Sequence, residues 1–360
     1  MAQARIGVVG LGTFGINHLY TFRQLTWQGT CRLVAACDIN EQLLEERLRK
    51  FQFTPYTDVR EMLAREQLDG LTVVTPDPYH RDIVLAAAEA GVHVLCEKPL
   101  DVTVEGCLEM IRACEHAGIL LQVDFHKRYD EYHRAMRQRI LAGDLGRIEY
   151  GYSHMEDRIE VPRDWFPGWA KASSPAWFLG IHFYDLARWL MGANGVRVWG
   201  LGRKARLREL GVDTFDSITA MVEFDNGATV CFDTSWILPE GFPAIVNQGI
   251  RLVGTHGLLE CDSQDRGTWT CSTETHPAVQ SHNMSFLRLC HDKQGREIYE
   301  GYGIDSIADF AHNVNYLLDG AGLGDLGEYA SGYDGLQATK IAAAIHESID
   351  RNDPVLIRQD

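Results

Sequence analysis

The first fifteen residues contain the feature that most limits what this chain can fold into. An apolar run, residues 5–9, leads directly into the pattern Gly-x-Gly-x-x-Gly. The first glycine permits a tight strand-to-helix turn, the second lets a ligand approach the backbone, and the third lets the helix pack closely on its strand. The helix that follows aims unpaired N–H groups at this turn, which suits a pyrophosphate. The pattern predicts a dinucleotide-binding turn formed by Gly10, Gly12, Thr13, Phe14 and Gly15.

A carboxylate, Asp38, follows the second apolar run, residues 31–37. There it can accept hydrogen bonds from the ribose 2′- and 3′-hydroxyl groups, and it would repel a 2′-phosphate. The three residues after it include no arginine that would hold such a phosphate. Asp38 could instead cap a helix, but Asn40 suits that role ahead of residues 41–50. We therefore expect NAD rather than NADP, and NADP stays open only if Arg32 and Asn40 rearrange around the phosphate.

Size, charge and cysteine content narrow the class of protein further. With 360 residues the chain exceeds the usual size of one hydrophobic core, so we expect two domains. The 34 basic and 50 acidic residues give a net charge of −16, which argues against nucleic acids and anionic membranes as partners. The nine cysteines form no Cys-x-x-Cys pair, and no secretory signal or membrane span is visible. We expect a soluble cytoplasmic protein with reduced cysteines.

From residue 5 to about 125, short apolar runs alternate with longer helical patterns. The runs that predict strands are residues 5–10, 32–37, 70–75, 92–96 and 119–123. The candidate helices between them are residues 14–26, 41–50, 58–66, 79–90 and 102–117. This alternation is typical of βαβ units and predicts a Rossmann domain with a doubly wound parallel sheet.

Beyond residue 145 the pattern changes to strands of alternating polarity. They are residues 148–154, 217–223, 229–236 and 249–253, and candidate helices are residues 180–191, 305–318 and 332–350. This predicts an α+β domain with a large, mostly antiparallel open sheet. The expected domains are residues 1–125 for NAD binding and 126–360 for substrate binding and oligomerisation, with C-terminal helices that can pack back on the first domain.

The leading catalytic candidate is Lys98, which with Glu97 and Pro99 follows the apolar strand at residues 92–95. Ligands of open parallel sheets bind outside the carboxyl ends of the strands, which is where the nicotinamide would lie. A lysine held beside that ring can act as a general acid or base near neutral pH, and Glu97 can orient it. A lysine at a strand end is more commonly just solvated, so the neighbouring dinucleotide turn is what favours catalysis.

A second candidate, His182, lies in the helix start at residues 177–190, three residues before Asp185. The two side chains share one helix face. The histidine can hold the substrate hydroxyl whose carbon gives up hydride, and can relay its proton with Lys98. A buried histidine capped by Asp185 remains an equal alternative on this segment alone.

Four motifs occur in a specific order along the chain. After the glycine turn come Thr75-Pro76-Asp77-Pro78-Tyr79-His80, Glu97-Lys98-Pro99 and Gly180-Ile181-His182-Phe183-Tyr184-Asp185, with Phe125-His126-Lys127-Arg128-Tyr129-Asp130 between the last two. Any one can arise by chance, but together they make the chain resemble, over nearly its full length, the Gfo/Idh/MocA oxidoreductases. That family is named after glucose-fructose oxidoreductase and inositol dehydrogenase.

The resemblance implies NAD- or NADP-dependent redox chemistry on sugars, polyols or cyclitols. It also implies a homodimer or homotetramer formed through the open sheet of the second domain. Lys98 and His182 match the family's catalytic lysine and histidine, and the Lys98–Pro99 peptide is expected to be cis. The residues expected to line the nicotinamide riboside or the mouth of the site are Thr75, Pro76, His80, Glu97 and Arg128.

The chain departs from the family pattern at Phe178. Many members carry an aspartate here, four residues before the histidine, and it completes a Lys-Asp-His set. Its absence implies a less hydroxylated or differently oriented substrate, or replacement of the carboxylate by Asp185 or Asp164. Arg163, Trp165 and Trp236 are further substrate-binding candidates, because tryptophan stacks on sugar C–H faces and arginine binds hydroxyl or carboxylate groups. A loop anchored by buried tryptophans is an equally open alternative.

No histidine pair, including His276 and His282, has the spacing of a metal site, so we predict none. We expect a dehydrogenase that moves hydride between a secondary alcohol or ketone and nicotinamide, with Lys98 and His182 as acid and base. Two alternatives stay open: a non-catalytic NAD-binding sensor or co-regulator of the same fold, and an NAD-assisted enzyme that cleaves glycosides.

Overall fold

A computed structural model describes residues 3–273 and 276–358, without the side chains at 276 and 277. The chain divides into two units. The first runs to Tyr129 and takes in Ser285–Leu336, and the second contains Asp130–Met284 and the chain from Gln337 onward. Residues 285–336 thus group with the first unit, beyond the boundary expected at residue 125, and the expectation that C-terminal helices can pack back on the first domain allowed for such a return.

The helices alternate with strands in the first part of the chain and are sparser after it. The helices are α1 (Gly15–Trp27), α2 (Glu41–Lys50), α3 (Val59–Arg65), α4 (His80–Glu89), α5 (Val104–Ala117), α6 (Glu131–Leu141), α7 (Pro167–Ala170), α8 (Ile181–Met191), α9 (Arg206–Glu209), α10 (Tyr302–Leu318) and α11 (Gly332–Arg351). Short 3₁₀ turns occur at Asp77–Tyr79, His126–Tyr129 and Leu323–Asp325, and π-helical turns at Val161–Trp165 and Ala176–Gly180.

The strands fall into two large sheets and two hairpins. They are β1 (Ala4–Val9), β2 (Cys31–Cys37), β3 (Thr54–Tyr56), β4 (Gly70–Val73), β5 (His93–Cys96), β6 (Leu121–Val123), β7 (Ile148–Arg158), β8 (Gly195–Arg203), β9 (Ser217–Phe224), β10 (Thr229–Leu238), β11 (Val246–Gly254), β12 (Leu258–Asp262), β13 (Trp269–Ser272), β14 (His276–Ser281), β15 (Arg288–His291), β16 (Glu297–Glu300) and β17 (Val355–Leu356). The hairpins are β13–β14 and β15–β16.

The first unit contains a parallel sheet in the order β3-β2-β1-β4-β5-β6, which confirms the predicted Rossmann domain. Its edge strand β3 was not predicted, because Pro55 interrupts a three-residue strand and prolines are tolerated only at sheet edges. Ile6 and Val8 of β1 are fully buried in one cluster with Ile307 and Phe310 of α10. Helix α10 thus completes the core of the first unit.

The second unit contains a mixed sheet in the order β12-β11-β7-β10-β9-β8-β17. Strands β7 and β10 pair in parallel and the other neighbours pair antiparallel, so the predicted mostly antiparallel sheet is confirmed. Burial alternates along β9 and β10, which leaves one face of the sheet open. Helix α6 was not predicted, because it is mostly polar and only His133 and Met136 are buried in it.

Across the ranges described above, no helix combines the length and apolar character needed to cross a bilayer.

Candidate active site

The glycine turn joins β1 to α1, and its three glycines have different surroundings. Gly10 has a φ of +91°, and a Cβ there would lie 2.5 Å from the carbonyl oxygen of Val74. A Cβ on Gly15 would lie 2.1 Å from the carbonyl oxygen of Gly10, whereas a Cβ on Gly12 meets nothing within 4 Å in the described structure. The protein itself therefore requires Gly10 and Gly15, and Gly12 borders open space in which a phosphate can approach the backbone.

Thr13 and Phe14 lead from this turn into α1. Helix α1 begins at Gly15, within two residues of the expected start, and its first turn in the described chain has neither an acidic residue nor a side-chain cap. The Ile16 N–H donates to the Gly12 carbonyl oxygen at 3.3 Å and the Asn17 N–H to that of Phe14 at 2.9 Å, so an anion would bind the N–H groups of the turn before them. The Phe14 ring stacks on His126 at 6.1 Å between centroids, which holds the turn against the segment that follows β6.

Asp38 follows β2 and is tied to the glycine turn. Its Oδ2 accepts a hydrogen bond from the Leu11 N–H at 2.8 Å, and its Oδ1 accepts one from the Asn40 N–H at 2.9 Å. Asn40, as expected, is the residue that caps α2, where it accepts from the Leu43 N–H. These bonds orient the Asp38 carboxylate beside the turn and leave lone pairs for ribose hydroxyl groups.

Arg47 was missed by the sequence reasoning. It lies on α2, and its Nε donates to the carbonyl oxygen of Leu11 in the glycine turn at 3.2 Å. Its guanidinium also pairs with Glu46 at 2.9 Å, which offsets part of its charge. A lone arginine in the middle of a charged helix carries no signal in the sequence, since only the fold brings it back to the turn.

Lys98 comes two residues after β5 and is half-buried. The Lys98–Pro99 peptide is cis, as the resemblance implies. In the sheet order β1-β4-β5, the carboxyl end of β5 is one strand removed from that of β1, where the glycine turn begins. The fold therefore brings Lys98 and the turn to the same edge of the parallel sheet.

Thr75, Pro76 and His80 follow β4 at that edge. The Thr75 hydroxyl is buried and has no hydrogen-bond partner among the described residues, so it is available to a ligand. Pro76 is exposed, whereas His80 is fully buried. The His80 Nδ1 lies 2.9 Å from the Pro99 carbonyl oxygen and its Nε2 lies 2.8 Å from that of Thr75. His80 therefore braces the two loops, and its expected contact with the cofactor stays a prediction.

Glu97 also points inward. It is 6% exposed, and its Oε2 accepts a hydrogen bond from the Lys98 N–H at 3.2 Å. Its Oε1 lies 3.5 Å from Nε2 of His18, which in turn lies 3.8 Å from Oδ2 of Asp124. Burial raises the pKa of Glu97 to about 7, with the Lys98 charge opposing the rise, and burial raises that of Asp124 to about 8. His18 and Asp124 were not found from the sequence.

Arg128 is only 6% exposed and forms an ion pair with Asp334 at 2.9 Å. Asp334 therefore compensates its charge inside the first unit, and the expected place of Arg128 at the mouth of the site stays a prediction. Asp334 lies on α11, more than two hundred positions after Arg128 in the chain. No local sequence pattern therefore predicts this pair.

His182 lies in the first turn of α8 and is 6% exposed. Asp185, its neighbour on the same helix face, lies 3.6 Å from Arg188 and is 1% exposed. Asp185 is thus engaged by a cation on its own helix. Lys98 belongs to the first unit and His182 to the second.

Phe178 lies in the π-helical turn before α8 and packs in an aromatic cluster. Its ring centroid is 4.9 Å from that of Trp169 and 5.9 Å from that of Trp236. Trp236 is 1% exposed, and its indole N–H has no hydrogen-bond partner within the described ranges. The cluster therefore offers an apolar wall with one buried donor where the resembled family has a carboxylate.

Arg163 and Trp165 lie in the other π-helical turn. Arg163 pairs with Asp164 at 2.5 Å and with Glu240 at 2.7 Å, so two carboxylates already compensate its charge. Asp164 is held by that pair, and its replacement of the missing family carboxylate stays a prediction. Trp165 is 50% exposed and is the side chain here that remains open to a ligand.

Of the two histidines considered as metal ligands, only His282 has its side chain within the described residues. His282 Nε2 lies 2.9 Å from the Thr270 hydroxyl, and the His276 side chain lies outside the described structure. One set of three donor residues in the described chain, His18, Glu97 and Asp124, has its ligand atoms within 4.8 Å of one another.

The chain is similar to several characterised dehydrogenases. It is 24% identical to the myo-inositol 2-dehydrogenase of Thermotoga maritima over 358 residues, 99% of either chain. It is 29% identical to the scyllo-inositol 2-dehydrogenase (NAD(+)) of Bacillus subtilis, over 71% of this chain and 73% of the relative. The crystal structure of scyllo-inositol dehydrogenase from Lactobacillus casei with bound NAD(H) and scyllo-inositol shares the fold, with a TM-score of 0.78 at 21% identity over 99% of both chains.

Two family models match successive parts of the chain. Residues 4–125 match the oxidoreductase family with an NAD-binding Rossmann fold. Residues 133–260 match the GFO/IDH/MocA C-terminal domain, so the two matches together cover well over half of the chain. The glycine turn, the oriented Asp38 and Lys98 at one sheet edge agree with an NAD-binding enzyme. The chain therefore belongs to the Gfo/Idh/MocA family of NAD-binding oxidoreductases.

Proposed function

We propose that this protein is an NAD-dependent dehydrogenase that oxidises a secondary alcohol of a polyol, cyclitol or sugar, or reduces the matching ketone. The observation that carries the proposal is the position of Lys98 at the sheet edge that also holds the glycine turn and Asp38. The names of the inositol dehydrogenases that the chain resembles support the substrate class.

The residues of the first unit fit NAD. The open space at Gly12 admits the pyrophosphate, and the positive end of the α1 dipole favours its negative charge. The Asp38 carboxylate holds the ribose hydroxyl groups, and the unpartnered Thr75 hydroxyl is available to the nicotinamide half. Bound NAD supplies the hydride acceptor, and NADH the hydride donor.

Lys98 and His182 then manage the proton of the reacting hydroxyl group. In the oxidative direction the carbinol carbon loses hydride, its hydroxyl loses a proton to this pair, and a ketone forms. The half-burial of Lys98 and the 6% exposure of His182 limit the contact of both groups with bulk water, which strengthens their hydrogen bonds to a substrate oxygen. In reduction the same groups return the proton.

The aromatic cluster around Phe178 argues for a substrate with fewer hydroxyl groups on one face. Phe178 and Trp169 are partly exposed ring surfaces, and Trp236, 1% exposed, contributes a buried indole N–H as a donor. A ring or chain with one apolar face and one carbinol face matches this surface better than a fully hydroxylated ring. Trp165, half exposed, is a further stacking surface.

The test measures NADH formation by its absorbance at about 340 nm. The assay contains purified protein, NAD and a panel of polyols, cyclitols and sugars. Lys98→Ala is expected to lower kcat by at least about a hundredfold while NADH binding stays within about twofold. Lys293→Ala, which removes an exposed lysine in the β15–β16 hairpin, is the matched control and is expected to behave as wild type. Normal turnover of Lys98→Ala would refute the assignment.

A double mutant separates a shared proton from two independent effects. If Lys98 and His182 serve one proton, Lys98→Ala/His182→Ala loses little more kcat than the worse single variant, since groups that act as a unit are non-additive. Independent roles would multiply the two losses.

The same assay discriminates the two rival functions. A non-catalytic sensor binds NADH but reduces no NAD with any alcohol, and a glycoside-cleaving enzyme releases sugar without net NADH. The presence of both Lys98 and His182 favours the dehydrogenase over the sensor.

We also propose that a second copy of the chain covers the open face of the second sheet. The strand register aligns Trp199, Met221, Cys231 and Tyr152 in one row across β8, β9, β10 and β7. Trp199 is 50% exposed, Met221 52% and Tyr152 42%, which is an unusual apolar row for a sheet that faces water. A homodimer or homotetramer would bury it. A cytoplasmic location agrees with cysteines that are all free thiols.

A further inference from the structure

Three buried polar side chains meet behind Lys98. His18 comes from α1, Glu97 follows β5, and Asp124 follows β6. They are 0%, 6% and 1% exposed, and both ring nitrogens of His18, Oε1 of Glu97 and both carboxyl oxygens of Asp124 have no well-formed hydrogen bond among the described residues. Buried polar atoms are costly unless paired, and one ligand atom from each of these residues lies within 4.8 Å of the other two.

Four other side chains lie around this cluster. The Lys98 ammonium and the carboxyl group of Asp77 act on Glu97, and the buried Cys96 thiol lies beside it in sequence. Ser306 of α10 faces Asp124. Among these described neighbours, Lys98 is the one cation. Its backbone N–H already donates to Glu97.

The charges that this cluster can carry are limited by its burial. Burial lowers the pKa of His18 to about 4, so the imidazole is neutral near pH 7. Burial raises the pKa of both acids, and the negative charge of Glu97 raises that of Asp124 further. As the pH rises through about 7, the pair loses one proton, and Asp124 keeps the other to about 8. Two carboxyl groups thus hold one proton between them near neutral pH.

A metal ion is the competing explanation, because the ligand atoms lie within 4.8 Å of one another. Metal ligands must be deprotonated, so a metal would have to displace the proton that burial favours on these two acids. The Lys98 charge beside Glu97 also disfavours a second cation. The arrangement therefore favours a shared proton.

We propose that His18, Glu97 and Asp124 form a buried proton-sharing cluster, and that Asp124 is a positioning residue that sets the charge of Glu97 and hence the charge beside Lys98. The functional half of this inference rests on the proposed role of Lys98 as acid and base. In it, Asp124 retains its proton and presents it to the Glu97 carboxylate, which then attracts the Lys98 ammonium. The neutral imidazole of His18 lies beside both carboxyl groups, 3.5 Å from Oε1 of Glu97 and 3.8 Å from Oδ2 of Asp124, and adds no charge.

Infrared titration of the ligand-free protein tests the cluster without any assay of activity. Protonated carboxyl groups absorb apart from carboxylates, so the wild type is expected to lose this absorption in two steps, near pH 7 and near pH 8. Asp124→Asn and Glu97→Gln are each expected to leave one step. Asp77→Asn identifies any contribution of that neighbouring acid, whose pKa burial also raises. Asp69→Asn, at the opposite edge of the sheet, is the control and keeps both steps.

The pH profile of alcohol oxidation tests the effect on Lys98. Asp124→Asn keeps an N–H donor for the Glu97 carboxylate, whereas Asp124→Leu has none. Without a donor Glu97 keeps its proton to higher pH, and the negative charge beside Lys98 is lost. The acidic limb of kcat in Asp124→Leu is then expected about one pH unit lower than in wild type, with Asp124→Asn close to wild type.

The results separate this inference from the proposed function. If Lys98→Ala abolishes turnover but no carboxyl group titrates above pH 6, or Asp124→Asn leaves both steps, the cluster is overturned and the dehydrogenase stands. If the infrared steps appear but no alcohol is oxidised, the cluster stands and its link to catalysis falls. One equivalent of metal in the purified protein, lost in Asp124→Asn, would overturn the shared proton.

Discussion

The side-chain oxygen Oδ2 of Asp38 accepts a hydrogen bond from the backbone N–H of Leu11 at 2.8 Å. This bond joins the carboxylate at the end of β2 to the glycine turn at the end of β1. The group that discriminates ribose hydroxyls from a 2′-phosphate is thus held by the same backbone that receives the pyrophosphate. Cofactor selectivity and cofactor affinity are expected to change together when Asp38 changes.

Asp38→Asn tests this coupling. The amide oxygen can still accept from Leu11, but the negative charge is gone, so NAD is expected to bind several times more weakly and NADP more tightly. The ratio of the two Kd values should move by about tenfold, or about 1.4 kcal/mol. Fluorescence titration with both nucleotides measures it, with Asp69→Asn as control. An unchanged ratio would show that Asp38 does not select the cofactor.

The glycines provide a matched pair of alanine variants. Gly10→Ala places a Cβ 2.5 Å from the Val74 carbonyl oxygen at a φ of +91°, so it is expected to lower Tm by several degrees or to prevent folding. Gly12→Ala meets nothing within 4 Å in the described structure, so its Tm is expected to stay within about two degrees. Its NAD affinity should nevertheless fall about tenfold, since the methyl group occupies the pyrophosphate approach.

Thermal unfolding and NAD titration of both variants distinguish the two roles. If the Gly12→Ala variant is unstable, or if it binds NAD normally, the assignment of the open space to the cofactor is contradicted.

The parts of the molecule that sequence predicted are those set by local chemistry. The glycine turn, the Asn40 cap and the alternation of strands and helices depend on residues within one βαβ unit, and each appears as expected. Strand β3 and helix α6 were missed, because one is three residues long with a proline and the other buries few side chains. Periodicity is weak in both cases.

The site was less predictable where its residues depend on distant partners. Arg128 is compensated by Asp334, and Glu97 is turned toward His18 and Asp124 rather than outward. His80 braces two backbone loops. Each of these contacts joins segments that only the tertiary fold brings together, so the residue types were identified but their partners were not.

The buried acids predict a pH dependence of stability. The folded protein holds the protons of Glu97 and Asp124 to about pH 7 and 8, whereas the unfolded chain releases them near pH 4. The folded state therefore binds more protons between these values, and the stability from this pair is lost as pH rises through 7 and 8. His18 acts oppositely, since its stability contribution is present above its unfolded value of 6.5 and is lost as pH falls toward 4.

Asp124→Asn removes one of the two acids. The wild type loses stability as the pH rises because Asp124 ionises on unfolding, and the variant lacks this loss. The free energy of unfolding of the variant minus that of wild type is thus expected to increase from pH 6 to pH 9. Urea unfolding at both pH values measures the change, and Asp69→Asn is expected to show none. A relative stability that is flat or declines with pH would contradict a protonated Asp124.

The open sheet face predicts the effect of one charge on assembly. Met221→Glu places a carboxylate in the middle of the exposed row that includes Trp199 and Tyr152, so it is expected to convert the oligomer to monomer. Met284→Glu, at another exposed methionine outside the sheet, is the control. Light scattering after gel filtration gives the mass. A wild-type monomer, or a Met221→Glu protein of unchanged mass, would refute the proposed interface.

The return of α10 to the first unit has a consequence for synthesis on the ribosome. Ile307 and Phe310 are fully buried with Ile6 and Val8, so the nascent cofactor-binding unit lacks part of its interior until the chain beyond residue 310 has emerged. A truncated product that ends near residue 129 would expose the apolar surface that α10 covers. Chaperone binding and aggregation of such fragments are therefore expected, and this half of the molecule matures only as translation nears its end.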